Sequence, residues 1–173
     1  MGQKKISFWD FDSTLIDSPL PDPGKQIWAE KMGKPYPHKG WWGRNESLDL
    51  NVFDIQTHPE IISRYEKDLE DPDTTVVLLT NRIPQNADAI KKVLAKHSIT
   101  FDAYSFKKDH KGKGERIWDI LHTQFPDCKF FEFYDDDLKN LRSATEMFDG
   151  ESDYEYKLYH IIDGKPEEYN KPG

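Results

Sequence analysis

Asp10 and Asp12 stand two residues apart where an apolar, aromatic run breaks off, in the stretch FWDFDSTLIDSP (residues 8 to 19). Two carboxylates that close repel, so the pair costs stability unless something offsets the charge. Two later runs end in similar polar groups: VVLLT leads from Val76 to Thr80 and on into Asn81 and Arg82, and FFEFY, from Phe130 to Tyr134, stops at Asp135, Asp136 and Asp137. If these ends meet at one edge, Asp10, Asp12, Asp135 and Asp136 converge there and need a cation among them. Carboxylates together with phosphate and water are the ligands that suit Mg²⁺. A metal and a phosphate would offset the repulsion that the opening pair creates.

The elements around these groups explain how they would meet. The runs Ile6 to Phe11, Val76 to Thr80 and Phe130 to Tyr134 are short and apolar, as buried strands are. Helical spacing follows the second and third. Pro84 suits a first helical turn, with Ala87, Ile90, Val93, Leu94 and His97 on one face. Ile117, Ile120, Leu121 and Phe125 form another stripe, and Leu138, Leu141, Thr145 and Phe148 a third. Strands alternating with helices predict an α/β fold, a parallel sheet covered on both faces, with ligands bound beyond the carboxyl ends of its strands. The alternating run from Tyr154 to Asp163 reads as a further edge strand, and GKPEEYNKPG after it as loose surface.

Roughly sixty residues separate the first two strands, a connection long enough to be functional or disordered. Six of the chain's 11 prolines lie there, from Pro19 to Pro59, together with Trp28, Trp41 and Trp42. Three tryptophans argue for packed structure, so the segment is expected to be a small helical cap.

The whole chain is 173 residues, one domain with a modest insertion, and carries a net charge of −8. That balance disfavours nonspecific attraction to nucleic acid backbones. One cysteine, Cys128, excludes an intrachain disulfide and suits a reducing compartment. The start, MGQKKISFWDF, lacks the apolar core of a signal peptide, and no run is long enough to span a membrane. The expectation is a cytoplasmic protein with no membrane role and no obligate protein partner.

DFDST, Asp10 to Thr14, matches the DxDx[TV] signature of the haloacid dehalogenase (HAD) superfamily of phosphohydrolases. LLTNR resembles its second motif, a strand ending in Thr or Ser, and YDDD its fourth, an acidic pair after a strand. More narrowly, TNR with the acidic pair and the insert's Gly40-Trp41-Trp42 and Ser47-Leu48 resembles the Swiss Army Knife RNA-repair-like HAD group, related to the 3′-phosphatase domain of phage polynucleotide kinases. The resemblance implies a Rossmann-like three-layer α/β/α fold with a mostly parallel sheet, residues 1–17 and 72–165 forming the core, 18–71 the cap and 166–173 a C-terminal tail. It implies a Mg²⁺-dependent phosphomonoester hydrolase. Asp10 would be the nucleophile that forms an aspartyl phosphate, Asp12 the acid and base, and Thr80 a phosphate contact. Asp10, the backbone carbonyl of Asp12, and Asp135 and Asp136 would hold the metal. The third motif supplies a lysine, for which Lys113, at the start of a helix, is chosen ahead of Lys111.

The sequence departs from the pattern twice. Ser13 stands where DxDGT enzymes have glycine, and Asp137 where the polynucleotide phosphatases tend to have arginine, which weakens the case for a nucleic acid substrate. Several alternatives stay open. Asn81 and Arg82 are substrate-contact candidates, although Arg82 could equally be a partner of a site carboxylate, and Asp137 reads better as a helix start. Trp41 and Trp42 either stack on a substrate base or anchor the cap. The substrate is a phosphorylated compound, a nucleotide or nucleic acid end among the candidates. A small-molecule phosphatase and a non-catalytic binding module are the alternatives.

Overall fold

A computed structural model describes residues 3 to 170. Six strands form one sheet: β1 (Lys5–Trp9), β2 (Thr74–Leu79), β3 (Ala103–Ser105), β4 (Phe130–Asp135), β5 (Glu155–Ile162) and β6 (Lys165–Tyr169). Their order is β3-β2-β1-β4-β5-β6, with every pair parallel except the last. β1 lies at the centre, where the chain order reverses, and Phe8 pairs with Val77 on one side and Phe133 on the other.

Side chains on a strand alternate between faces, so each buried strand feeds two cores. Ile6 and Phe8 join Val77, Leu79, Phe131 and Phe133 on one face. That core is closed by Ile117 and Leu121 of α4 (Lys113–Gln124) and by Leu141, Ala144 and Phe148 of α5 (Leu138–Phe148). Trp9, Val76, Leu78 and Tyr134 face the other way, against Ile61 and Tyr65 of α2 (Pro59–Glu70) and Ile90, Val93 and Leu94 of α3 (Ala87–Lys96). Trp9 stacks on Tyr134 with ring centroids 3.9 Å apart and meets Tyr65 edge-on. The three-layer α/β/α architecture is therefore as expected, and no helix among the described residues is long and apolar enough to cross a membrane.

The long connection after β1 is packed. It holds α1 (Pro21–Met32), a short 3₁₀ turn at Asn45–Leu48, and α2. Trp41 is buried beneath α1, where a Cβ on Gly24 would meet its indole at 2.3 Å, and its Nε1–H donates to the Pro19 carbonyl. Glycine at 24 is thus the condition for that tryptophan to tuck under the helix.

Two expectations need correction. GKPEEYNKPG is not loose surface over its first part, because Lys165–Tyr169 pairs with β5 as an antiparallel edge strand, which moves β5 one place in from the edge. The cause is the two-residue turn Asp163-Gly164, with φ of 50° and 76°, the left-handed pair that a tight hairpin requires. Residues 171 to 173 of the expected tail lie outside the described residues. The three-residue strand β3 was also not anticipated, being too short to show a period.

α4 and α5 approach closely at Gly114, where a Cβ would lie 2.2 Å from the Ser143 carbonyl oxygen. Backbone cannot yield as a side chain can. Gly114→Ala is expected to push the helices apart and cost about 1–3 kcal/mol, measured as a lower denaturant midpoint with unchanged slope. An unchanged midpoint would show that the contact is not tight.

Candidate active site

The carboxyl ends of β1, β2 and β4 open into a cleft of about 490 Å³. Asp10 follows β1, Asp135 ends β4, and Lys113 begins α4. The Lys113 ammonium donates to Asp10 Oδ1 at 2.7 Å and to Asp135 Oδ2 at 2.6 Å. It is 1% exposed and tied to both strand ends, whereas Lys111 pairs at the surface with Asp119. The geometry therefore brings Lys113, rather than Lys111, to the carboxylates. Burial acts to lower the Lys113 pKa, but the Asp10 and Asp135 charges outweigh it and the net shift is upward.

Around that bridge each acid is held by its own neighbours. Asp10 Oδ2 accepts from Thr14 Oγ1. Asp135 accepts from the Asp137 backbone N–H and from Asn140 Nδ2. Asp137 caps α5, its Oδ1 accepting from the Lys139 N–H, so the helix-start reading of that residue is the observed one.

Asp10, Asp135 and Asp136 place ligand oxygens within 4.8 Å of one another. Once all three are ionised, these carboxylates against one ammonium leave two negative charges, which fits a divalent cation with oxygen ligands. Burial, and then the Asp10 charge, push Asp135 up to about 7 and Asp136 up to about 9.

Asp12 stands apart from this cluster. Its carboxylate is gripped at both oxygens by Arg82, through Nε and Nη2 at 2.8 Å each, and Oδ1 also accepts from Ser18. Arg82 is 3% exposed, and its Nη1 donates to the Trp42 carbonyl and to Ser47 Oγ in the inserted segment. Of the two readings of Arg82, the carboxylate partner is the one seen, and the same guanidinium ties Asp12 to the insert.

Thr80 and Asn81 line the cleft beside Asp10. They are fixed from behind by Arg116, which donates to the Thr80 carbonyl, to Asn81 Oδ1 and to both the carbonyl and hydroxyl of Ser105. Burial lowers the Arg116 pKa to about 10. Trp42 reaches the cleft wall, but Trp41 does not, being consumed in packing against Tyr36 and Phe53. Trp41 is an anchor.

Sequence reasoning missed Ser18, Asn140 and Arg116. Asn140 had a signal, standing one helical turn after the acidic strand end. Arg116 carried none, because its partners come from the ends of two separate strands, β2 and β3. Ser13 adopts φ of 58°, the left-handed conformation that glycine occupies without strain, at the cleft floor between Asp12 and Thr14.

No protein-family profile matches the chain, and no curated protein matches it in sequence. Solved structures do match. A haloacid dehalogenase-like hydrolase from Streptococcus pneumoniae superposes with a TM-score of 0.53 at 18% identity, over 84% of this chain and 81% of that one. A HAD-superfamily hydrolase of subfamily IA from Geobacter sulfurreducens gives 0.52 at 15%, over 84% of each. The fold is that of the haloacid dehalogenase hydrolases. A chain in the Pnkp1/Rnl/Hen1 complex also shares it, with a TM-score of 0.55 at 13% identity over 92% of this chain, which spans 48% of that longer one.

The raised carboxyl pKa values set a pH dependence. A folded carboxyl that holds its proton above the usual carboxylate range contributes most at low pH, and that contribution is lost as pH rises from about 4 through 7 to 9. A divalent cation replaces the protons at these oxygens, so its stabilising effect must grow with pH. The expected result is a larger Mg²⁺-induced rise in Tm at pH 8 than at pH 5.5, with the gain lost in Asp135→Asn/Asp136→Asn. Equal gains at both pH values would place any bound metal elsewhere.

Proposed function

We propose that this protein is a Mg²⁺-dependent phosphomonoester hydrolase that works through an aspartyl-phosphate intermediate, with the segment from 18 to 71 serving as its cap. The observation that carries the reading is the Lys113 ammonium held between Asp10 and Asp135, with Asp136 alongside, at the floor of an open cleft. Likeness to haloacid dehalogenase hydrolases supports it at the level of fold.

In this mechanism an Asp10 oxygen attacks phosphorus as the bond from phosphorus to the leaving oxygen breaks, and Asp12 gives that oxygen a proton. In the second half, water attacks the phosphorus of the aspartyl phosphate, Asp12 takes the water's proton, and the bond to Asp10 breaks to release inorganic phosphate. Lys113 offsets phosphate charge, and Thr80 and Asn81 supply hydrogen bonds to phosphate oxygens. Mg²⁺, held by Asp10, Asp135, Asp136 and the backbone carbonyl of Asp12, would neutralise the anion that a carboxylate must approach. Before it can donate a proton, Asp12 has to release one oxygen from Arg82 and take up a proton there from water. Because Arg82 is bonded to the Trp42 carbonyl and Ser47, Asp12 and the cap are mechanically linked.

The substrate is a phosphorylated compound met inside the cell, which suits a chain with one buried cysteine. The RNA repair complex among the structural neighbours supports a nucleic acid phosphate end, whereas the net charge of −8 supports a small molecule.

Phosphate release from an aryl phosphate, with and without Mg²⁺, tests the activity. Asp10→Asn is expected to abolish both turnover and phosphoenzyme, and full activity in that variant would remove Asp10 as nucleophile. Asp12→Asn should slow turnover by roughly 10²–10⁴-fold for alkyl esters and far less for esters with good leaving groups. An equal loss across leaving groups would contradict its acid role.

A further inference from the structure

The charges lining the cleft limit what can be attached to the phosphate. Among the described residues, Lys113 and Arg82 are the basic side chains on its wall, and both are buried against the site's own acids. Asp136 and Asp137 line the same wall, and an adjoining hollow of about 410 Å³, which shares Ser13, Leu20 and Asp136 with the cleft, adds Asp17 and Asp163 together with His58 and His160. A substrate carrying more phosphates than the one being cleaved would meet carboxylates and, among the described lining residues, no unpaired lysine or arginine.

Apolar groups stand on the same wall. Leu20 is 54% exposed, Trp42 38% and Ile83 37%, and all three line the cleft. The Trp42 ring is braced by the Arg82 guanidinium, 5.5 Å from its centre, and its backbone carbonyl is fixed by the same group. An indole held in this way, beside two aliphatic side chains, offers a surface for a flat ring. Base-aromatic stacking of that kind tolerates any base.

Resting on the phosphatase reading above, we infer that the substrate is a monophosphate ester of an uncharged, flat aromatic group, a nucleoside monophosphate rather than a phosphorylated nucleic acid end. Lys113 and the metal ligands serve the single phosphate, and Trp42, Leu20 and Ile83 receive the ring. A nucleic acid end would lay its flanking phosphates across Asp137, Asp17 and Asp163, where no lysine or arginine of the described lining repays the repulsion.

The test measures kcat/KM of the full chain with Mg²⁺ on 5′- and 3′-nucleoside monophosphates, phenyl phosphate, a hexose phosphate, a nucleoside 3′,5′-bisphosphate and a 3′-phosphorylated oligonucleotide. The monophosphates are expected to exceed the bisphosphate and oligonucleotide at least tenfold at low salt, with the gap narrowing as salt screens the acids. Nucleosides and simple aryl groups are separated by comparing their monophosphates with phenyl phosphate. Phenyl phosphate matching the nucleotides would overturn the nucleoside assignment. Trp42→Ala is expected to lower the ratio of aromatic to hexose phosphate kcat/KM roughly tenfold, through KM, and Trp42→Phe to restore most of it. Oligonucleotide turnover equal to or faster than the monophosphates, or an unchanged ratio in Trp42→Ala, overturns the inference. If phosphate release is seen and is lost in Asp10→Asn but shows no aromatic preference, only this inference fails. If no member of the panel is hydrolysed, the phosphatase reading fails and this inference with it.

Discussion

A single buried ammonium holds the active end of the sheet together. Asp10 and Asp135 end neighbouring parallel strands, so the pairing of β1 with β4 delivers two carboxylates to one place whether or not their charges are compatible. Without Lys113 they would be buried like charges. With it, each has a partner at hydrogen-bond distance. A buried lysine removed from such a bridge leaves uncompensated charge, which is why breaking one partner of a buried pair is costly even where the pair itself contributes little net stability. The close contact of α4 with α5 at Gly114, next to Lys113, gives the ammonium a rigid mount. Asn140 shares Asp135 Oδ2 with the lysine, and the Asp137 N–H satisfies Oδ1.

Arg82 is the second hub, and its role differs. It has five N–H donors in a flat fork, and at least four are used: two on Asp12, one each on Trp42 and Ser47. Lysine could not hold both oxygens of Asp12 and two acceptors of the insert at once. The insert is therefore coupled to Asp12 by geometry as well as by proximity. The buried Trp41 anchors the same loop from below, so that adjacent tryptophans divide the work: one fixes the segment and the next faces the cleft.

Much of this was legible in the residue order. Runs of apolar residues ending in acids mark the strands of a parallel sheet, and the rule that ligands bind beyond such strand ends places Asp10, Thr80 and Asp135 together before any coordinates are known. The helices carrying Ile90, Ile117 and Leu141 followed from their spacing, although Leu138, counted in the stripe of α5, proves exposed. Partners across the sequence were not legible. Lys113 and Lys111 differ only in which side of the α4 start they occupy, and a two-residue step decides between a buried bridge and a surface ion pair. Arg116 has no pattern at all, since its acceptors are carbonyls exposed where β2 and β3 end. The β6 strand was legible and overlooked: Asp163-Gly164 is a strong hairpin signal, masked by the polar residues an edge strand carries on its outer face.

Ser13 shows how these constraints meet. A residue with a side chain holds a left-handed backbone conformation at the turn that separates Asp10 from Thr14, at a cost of roughly 1–2 kcal/mol that glycine would avoid. Strain of this kind persists where surrounding contacts over-determine the backbone. Here those contacts are the Thr14 hydroxyl on Asp10, the Arg82 fork on Asp12, and the Leu15 carbonyl accepting from the His58 N–H at the base of α2. Each ties the loop to a different place: the end of β1, Arg82 beyond β2, and the start of α2 within the insert. The loop thus keeps the Asp12 carboxylate on Arg82 and Ser18, apart from the carboxylates of Asp10, Asp135 and Asp136. The two acids, with one residue between them, part company: Asp10 is held by a buried ammonium and Asp12 by a guanidinium.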